Sequence, residues 1–331
     1  MNIDTIIEKT SKTIQTHKVG PGAYVRWLWQ NKIGSRVLGV NEYGCADAAN
    51  ILYTIQEFPN TAEEREAFVK TMQNMQDKVS GLFQEKTHHP IHTTAHCTAA
   101  LELFDAKPLY KFHALKEYTS IEGLYKLLDE IGWQNDAWDG SHKGAGIYAA
   151  LVLNGEVSKE WEKAYFDWFY KEADPDSGLW RKGYAKPETP RLYEHMAGTF
   201  HYLFNHEYAK MPLHYPDKMI DSCIDMYKNK TLTSDFGRTC NFLEVDFVYC
   251  TTRAMRQTPH RFFECKEILK EFAVGYVEYL ESLDWNTAEG VNDLHCLFGV
   301  ICCLAELQSA LPGFLITKKP MRLVLDRRPF I

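Results

Sequence analysis

Six stretches of this chain are apolar or small at nearly every position. They run over 47–55 (DAANILYTI), 96–104 (HCTAALELF), 142–150 (HKGAGIYAA), 195–203 (HMAGTFHYL), 246–254 (DFVYCTTRA) and 295–303 (HCLFGVICC). A helix that is apolar on every side is buried on every side. Between them lie segments such as 61–76 (TAEEREAFVKTMQNMQ), 158–173 (SKEWEKAYFDWFYKEA) and 262–280 (FFECKEILKEFAVGYVEYL). Their amphipathic pattern predicts outer helices with one solvated face. The expectation is six inner helices near 44–57, 91–104, 140–153, 193–206, 241–255 and 291–310, alternating with six outer ones.

The spacing is that of a repeat. The first residues of the six stretches are separated by 49, 46, 53, 51 and 49 positions, and self-similarity at a fixed period marks a repeat architecture. A turn motif repeats as well. Residues 77–83 (DKVSGLF) and 174–180 (DPDSGLW) share D-x-x-S-G-L-aromatic and lie 97 residues apart. The glycine suits the left-handed residue that ends a helix. Halfway between them, 128–133 (LDEIGW) ends a helix in the same manner. Pro59, Pro108, Pro190, Pro216 and Pro259 fall near predicted helix boundaries, where proline is tolerated or stops a helix. No linker interrupts the pattern. The fold expected is therefore all-α, an (α/α)6 toroid of six helical hairpins over residues 1–331 as a single domain. The segment 323–331 (LVLDRRPFI) suits a short strand or an ordered tail packed on the ring.

Inner helices separated by antiparallel outer partners run parallel, so their N-termini meet at one mouth. Asp47, His96, His142, His195, Asp246 and His295 then form a polar ring there. The competing structural role for such residues is helix capping, which aspartate performs well and histidine less well. Histidine near a helix N-terminus is more stable neutral, as a base, an acceptor or a ligand. Further polar groups lie within a turn of the ring: His92, Glu194, Asp293, Asp139 and Glu244. Acids and imidazoles at this density suit acid–base chemistry. The aromatic residues Tyr43, Trp138, Trp180 and Tyr184 fall in the same loops and offer flat faces for a sugar ring. Six sets of free backbone N–H groups at one mouth favour an anionic or hydroxyl-rich ligand.

Composition narrows this further. Net charge is -7, which disfavours nucleic acid as a partner. No run of about 18 uncharged apolar residues occurs, so no membrane span is expected, and the first 20 residues do not form a secretory signal. The nine cysteines, several within apolar runs, read as reduced thiols of a cytoplasmic protein. Neither a G-x-x-x-x-G-K nor a G-x-G-x-x-G loop is present, so no cofactor is expected. His92 and His96 have the i,i+4 spacing of zinc ligands, yet H-E-x-x-H and Cys-x-x-Cys are both missing, and no metal is assigned.

The repeat pattern resembles the α/α-toroid enzymes across almost the whole chain. These include the six-hairpin glycosidases and unsaturated glycuronyl hydrolases, and more distantly the terpenoid-cyclase and prenyltransferase toroids. The turn at 174–180 is similar to D-x-x-T-G-L-W segments of the glycuronyl hydrolases. That resemblance implies a pair of catalytic aspartates at the inner-helix mouth. Asp139, within Trp-Asp-Gly, matches one of them by context, with Asp47 or Asp293 as the other; the adjacent Asp-Asp of some relatives is missing here. A prenyltransferase-like reading would set Asp246, Cys250 and His295 at a zinc, but D-x-D-D and D-D-x-x-D are both lacking, which disfavours cyclisation. The expected function is an enzyme acting on a small carbohydrate, neutral or acidic, by hydrolysis, elimination or epimerisation. The alternatives are isoprenoid chemistry and a non-catalytic binding scaffold. Asp139, Asp47, His142, His195, Asp246 and Asp293 are the candidate catalytic residues. His92, His96, Glu194, His295, Trp138, Trp180, Tyr43 and Tyr184 are the candidate substrate contacts.

Overall fold

A computed structural model of the protein describes residues 1–30, 36–328 and 330. The chain alternates between two sets of helices. The outer set is α1 (Asp4–His17), α3 (Ala62–Asn74), α5 (Ile121–Asp129), α7 (Lys159–Glu172), α9 (Pro216–Lys228) and α11 (Phe262–Ser282). The inner set is α2 (Glu42–Thr54), α4 (Pro90–Glu102), α6 (Ala137–Asn154), α8 (Leu192–Ala209), α10 (Leu243–Met255) and α13 (Leu294–Ala310). Short elements complete it: β1 (Lys18–Gly20) paired with β2 (Ala23–Tyr24), a 3-10 segment at His113–Thr119, α12 (Glu289–Asn292) and α14 (Val324–Arg327). The protein is all-α, as the apolar pattern predicts.

Inner and outer helices differ in what they bury. In α10 every residue from Leu243 to Ala254 is buried, and in α4 every residue from Ile91 to Leu101. In α3 only Phe68 and Met72 are, and in α5 only Leu124, Leu127 and Leu128. Burial on all sides is possible because each inner helix has two inner neighbours and an outer cover. α2 packs on α4, α4 on α6, α6 on α8, α8 on α10, α10 on α13, and α13 returns to α2. The ring is therefore closed. Outer α1 covers its seam, packing on both α13 and α2, and a parallel bridge joins Asn2 to Ile316. Three outer helices begin at polar caps: Thr61 forms a capping box with Glu64 on α3, and Ser120 and Ser158 cap α5 and α7.

The two D-x-x-S-G-L turns fold alike. The Asp77 carboxylate accepts from the Ser80 backbone N–H at 2.7 Å, and the Asp174 carboxylate from Ser177 at 3.2 Å. Gly81 donates to the Asp77 carbonyl and Gly178 to that of Asp174. Both glycines are left-handed, with φ of 79° and 73°. A Cβ on Gly178 would also sit 2.4 Å from the Met219 nitrogen, so α9 packs directly on that turn.

The tail is described at 324–328 and again at Phe330. After α14 it leaves the C-terminal mouth of the inner helices and enters the ring. Asp326 accepts from Arg253 at 2.7 Å and Arg327 pairs with Glu102 at the end of α4. Arg253 in turn makes two 2.7 Å bonds to Glu306, and both are buried. Arg328 is fully buried, its guanidinium 5.9 Å from the Phe298 ring centre, with no hydrogen-bond partner among the described residues. Phe330 lies deeper still, fully buried. The tail forms the floor of the lumen.

Among the described residues, no helix is long and apolar enough to cross a membrane. All nine cysteines are free thiols. Burial pushes the Cys45 thiol up to about 12 and Cys97 well above its ordinary value, so these are packing groups, not thiolates.

Two glycine-to-alanine changes separate strain from close packing. Gly155, with φ of 72°, has open space around its position, so Gly155→Ala should cost only the left-handed strain of about 1–2 kcal/mol. Gly178→Ala adds a backbone collision with α9, worth about 1–3 kcal/mol more. Urea unfolding should rank Gly178→Ala clearly below Gly155→Ala; equal midpoints would show that the turn yields freely.

Candidate functional site

The N-terminal ends of α4, α6 and α13 meet the loop before α10 around a cavity of about 250 Å³. Its walls include His88, His92, Trp138, Asp139, His142, His201, Phe242, His295 and Arg26. Five of these are imidazoles. Beneath them, shut off from solvent, sits Asp47.

Asp47 organises the group. Its carboxylate accepts from His96 Nε2 at 2.9 Å and from His295 Nδ1 at 3.1 Å to each oxygen. A carboxylate only accepts, so the facing nitrogens carry the protons. Burial alone would raise the Asp47 carboxyl; the two imidazoles outweigh it and hold the group well below the usual carboxylate range. Burial, opposed by Asp47, lowers His295 to about 4. At neutral pH the arrangement is an ionised Asp47 between two neutral imidazoles. His295 Nε2 is left as a bare acceptor on a residue that lines the cavity. This is the carboxylate–imidazole pairing that orients a general base.

Tyr43 is the hub of the packing. It is fully buried, stacked on His88 at 4.4 Å and His96 at 5.0 Å, with the His295 ring edge-on at 4.7 Å. Its hydroxyl meets His92 Nδ1 at 2.5 Å. On the neighbouring wall His201 Nδ1 faces the Ala197 carbonyl at 3.2 Å and Ser141 Oγ at 3.0 Å. His142 makes no hydrogen bond among the described residues.

Asp293 holds the rim. Arg26 makes a two-pronged bond to it, Nε to Oδ1 at 2.8 Å and Nη2 to Oδ2 at 3.0 Å, and Trp27 Nε1 adds a third at 2.9 Å. Asp293 also caps α13 by accepting from the His295 backbone N–H at 3.0 Å. Both its oxygens accept hydrogen bonds, which hold Asp293 at the rim between Arg26, Trp27 and the start of α13. Asp139, by contrast, makes no hydrogen bond among the described residues and lies on the cavity wall beside Trp138.

Of the six ring residues expected at the mouth, His142 and His295 line the cavity and Asp47 and His96 support it from below. His195 and Asp246 lie elsewhere. His195 Nδ1 bonds the Trp180 carbonyl at 2.9 Å, in the wall toward the outer helices. Asp246 is fully buried with neither oxygen partnered among the described residues; burial and then Glu244 push its carboxyl well up, so it is a neutral acid. Trp180 is buried against His206, its Nε1 bonded to the Phe169 carbonyl. Glu194 pairs with Arg191 and Tyr184 is exposed, both away from the cavity. His195, Asp246, Trp180, Glu194 and Tyr184 take no part in its lining, contrary to expectation. The sequence reading missed Arg26, His88, His201 and Phe242 on the walls; only His201 carried a signal, as a second histidine on α8. Among comparisons with known proteins, no family model, no curated protein and no solved structure matches this chain.

Acid should loosen the fold. An unfolded histidine takes its proton near pH 6.5, whereas burial lowers His295 and His206 to about 4 each in the fold. Between those values the unfolded chain binds more protons, so stability rises with pH and is lost on acidification from about 6.5 toward 4. The urea midpoint should fall steadily from pH 7 to pH 5. His206→Gln, remote from the cavity, should flatten that slope; a midpoint independent of pH over this range would contradict the neutral assignment.

Proposed function

We propose that the mouth cavity is the active site of an enzyme that processes a small, hydroxyl-rich substrate of the carbohydrate class by general acid–base catalysis. The observation that carries this reading is the Asp47–His295 pair, with the unprotonated nitrogen left on a residue of the cavity wall. His295 Nε2 accepts a proton from the substrate or from an attacking water. Asp47 fixes the imidazole tautomer and stabilises the imidazolium that forms. Asp139 supplies the second carboxyl group, as proton donor to the departing oxygen or to the carbon that is reprotonated.

The surroundings fit that substrate class. Trp138 and Phe242 bring flat apolar faces, and the imidazoles around them donate or accept according to tautomer. A cavity of about 250 Å³ suits one small ring rather than an extended chain. An isoprenoid would find five imidazoles where it needs apolar walls. The ring of inner and outer helices and the two D-x-x-S-G-L turns support a likeness to glycuronyl hydrolases, for which an acidic sugar is the natural first choice.

The test is turnover on a panel of small glycosides, uronides and unsaturated uronides. Relative to the parent protein, His295→Gln and Asp139→Asn should each lower turnover by roughly 10²–10⁴-fold, and Asp47→Asn should do so by reversing the His295 tautomer. Circular dichroism and melting temperature report whether each variant is folded. Full activity in folded His295→Gln and Asp139→Asn would overturn the assignment.

A further inference from the structure

Three of the imidazoles converge without being used by the Asp47–His295 pair. His92, His142 and His201 come from three successive inner helices, α4, α6 and α8. Their ring centres are 4.4 Å apart for His92 and His142, 4.9 Å for His142 and His201, and 5.8 Å for His92 and His201. One nitrogen from each lies within 4.8 Å of the other two. We infer that His92, His142 and His201 form a binding site for a single divalent transition-metal ion of the zinc class, on the wall of the mouth cavity.

The hydrogen bonds point the same way. His201 Nδ1 faces the Ala197 carbonyl, which can only accept, so that nitrogen carries the proton and Nε2 keeps its lone pair. The Tyr43 hydroxyl engages His92 Nδ1; with Nδ1–H donating to the phenol oxygen, His92 Nε2 is the nitrogen free to bind an ion. Metal-bound histidines are commonly oriented by such a bond on the second ring nitrogen. His142 has both nitrogens available. Burial, and then the neighbouring imidazoles, hold His92 and His142 well below their ordinary values, and burial lowers His201 to about 3. All three are neutral ligands at physiological pH. Three neutral imidazoles brought this close, with few protein partners between them, offer one nitrogen each to a common centre.

Ligand type selects the ion. An all-imidazole set suits zinc, copper, nickel or iron and is poor for calcium or magnesium, which require oxygen. Three protein ligands with a cavity beside them leave a coordination position open for water or substrate, as in catalytic rather than structural zinc sites. The other group, Asp47, His96 and His295, also has its ligand atoms within 4.8 Å of one another. There the Asp47 oxygens are already filled by two N–H donors at 2.9 and 3.1 Å, in a spot closed to solvent. Nothing in that group asks for an ion.

The test reads binding rather than turnover, so its outcome is independent of the acid–base reading. Protein dialysed against chelator is titrated with Co²⁺ and, separately, with Zn²⁺. Expected are one equivalent bound, visible cobalt absorption of a four- or five-coordinate nitrogen site, and a raised melting temperature. His142→Ala removes a partly exposed side chain that makes no hydrogen bond, so the fold should survive; affinity should drop by on the order of 100-fold or more. His201→Ala should act likewise, while His195→Ala should leave binding unchanged. Absence of stoichiometric binding by the parent protein, or affinity retained in both His142→Ala and His201→Ala, would overturn the site. So would binding abolished by Asp47→Asn but untouched by His142→Ala, which would move the ion to the lower group.

Discussion

A carboxylate sealed from water is stable as an anion only if its hydrogen bonds replace those of the solvent, and in this protein that condition falls on Asp47. Two N–H groups, from His96 and His295, satisfy it. Each donor is thereby fixed in tautomer and in rotation, and Tyr43 stacks against one ring and edges against the other. Helices α2, α4 and α13 are bound together at the mouth by this contact. Breaking a buried pair of this kind by removing one partner usually costs more than the pair contributes, because the group left behind has no substitute partner. The geometry of the cavity wall follows from one side chain that the cavity itself does not contact.

The lumen has a mouth and a floor, and different chemistry holds each. At the mouth, the chain around Arg26 crosses the start of α13, with Asp293 as the shared acceptor for Arg26 and Trp27. At the opposite end, the tail is anchored by Asp326 and Arg327, and Phe330 reaches the underside of the imidazole cluster, 4.9 Å from the His92 ring centre. The lumen is a blind chamber between them, and its low polarisability strengthens every charge and dipole within it.

The fold was legible because burial on all sides leaves a mark in the sequence that periodic amphipathicity does not. The inner helices fall within three residues, at each end, of the places read from the apolar runs; at 291–310, α12 takes the first residues as a separate turn. The site was half legible, for a reason of angular phase. His195 and Asp246 are each the fourth residue of their helix, whereas Asp47 and His142 are each the sixth. Two positions at 100° per residue turn a side chain to nearly the opposite face. Aligned letters were therefore not aligned directions, and on α8 it is His201 that turns inward. Arg26 and His88 come from irregular chain with no period to read. The floor-forming tail carried no signal beyond its apolar ends.

Asp47 and His295 stand on the first and last inner helices, 248 positions apart, and meet only across the seam of the ring. In an open solenoid each repeat leans on its neighbours and arrays of any length can function. A closed ring is different in kind. A chain emerging from the ribosome with five inner helices folded would have neither the Asp47–His295 contact nor a closed ring, and none of its earlier contacts could compensate. Closing that ring is a strongly non-local step, of the sort that slows folding. The contact that orders the cavity wall and the closure of the ring therefore arrive together, with the last inner helix.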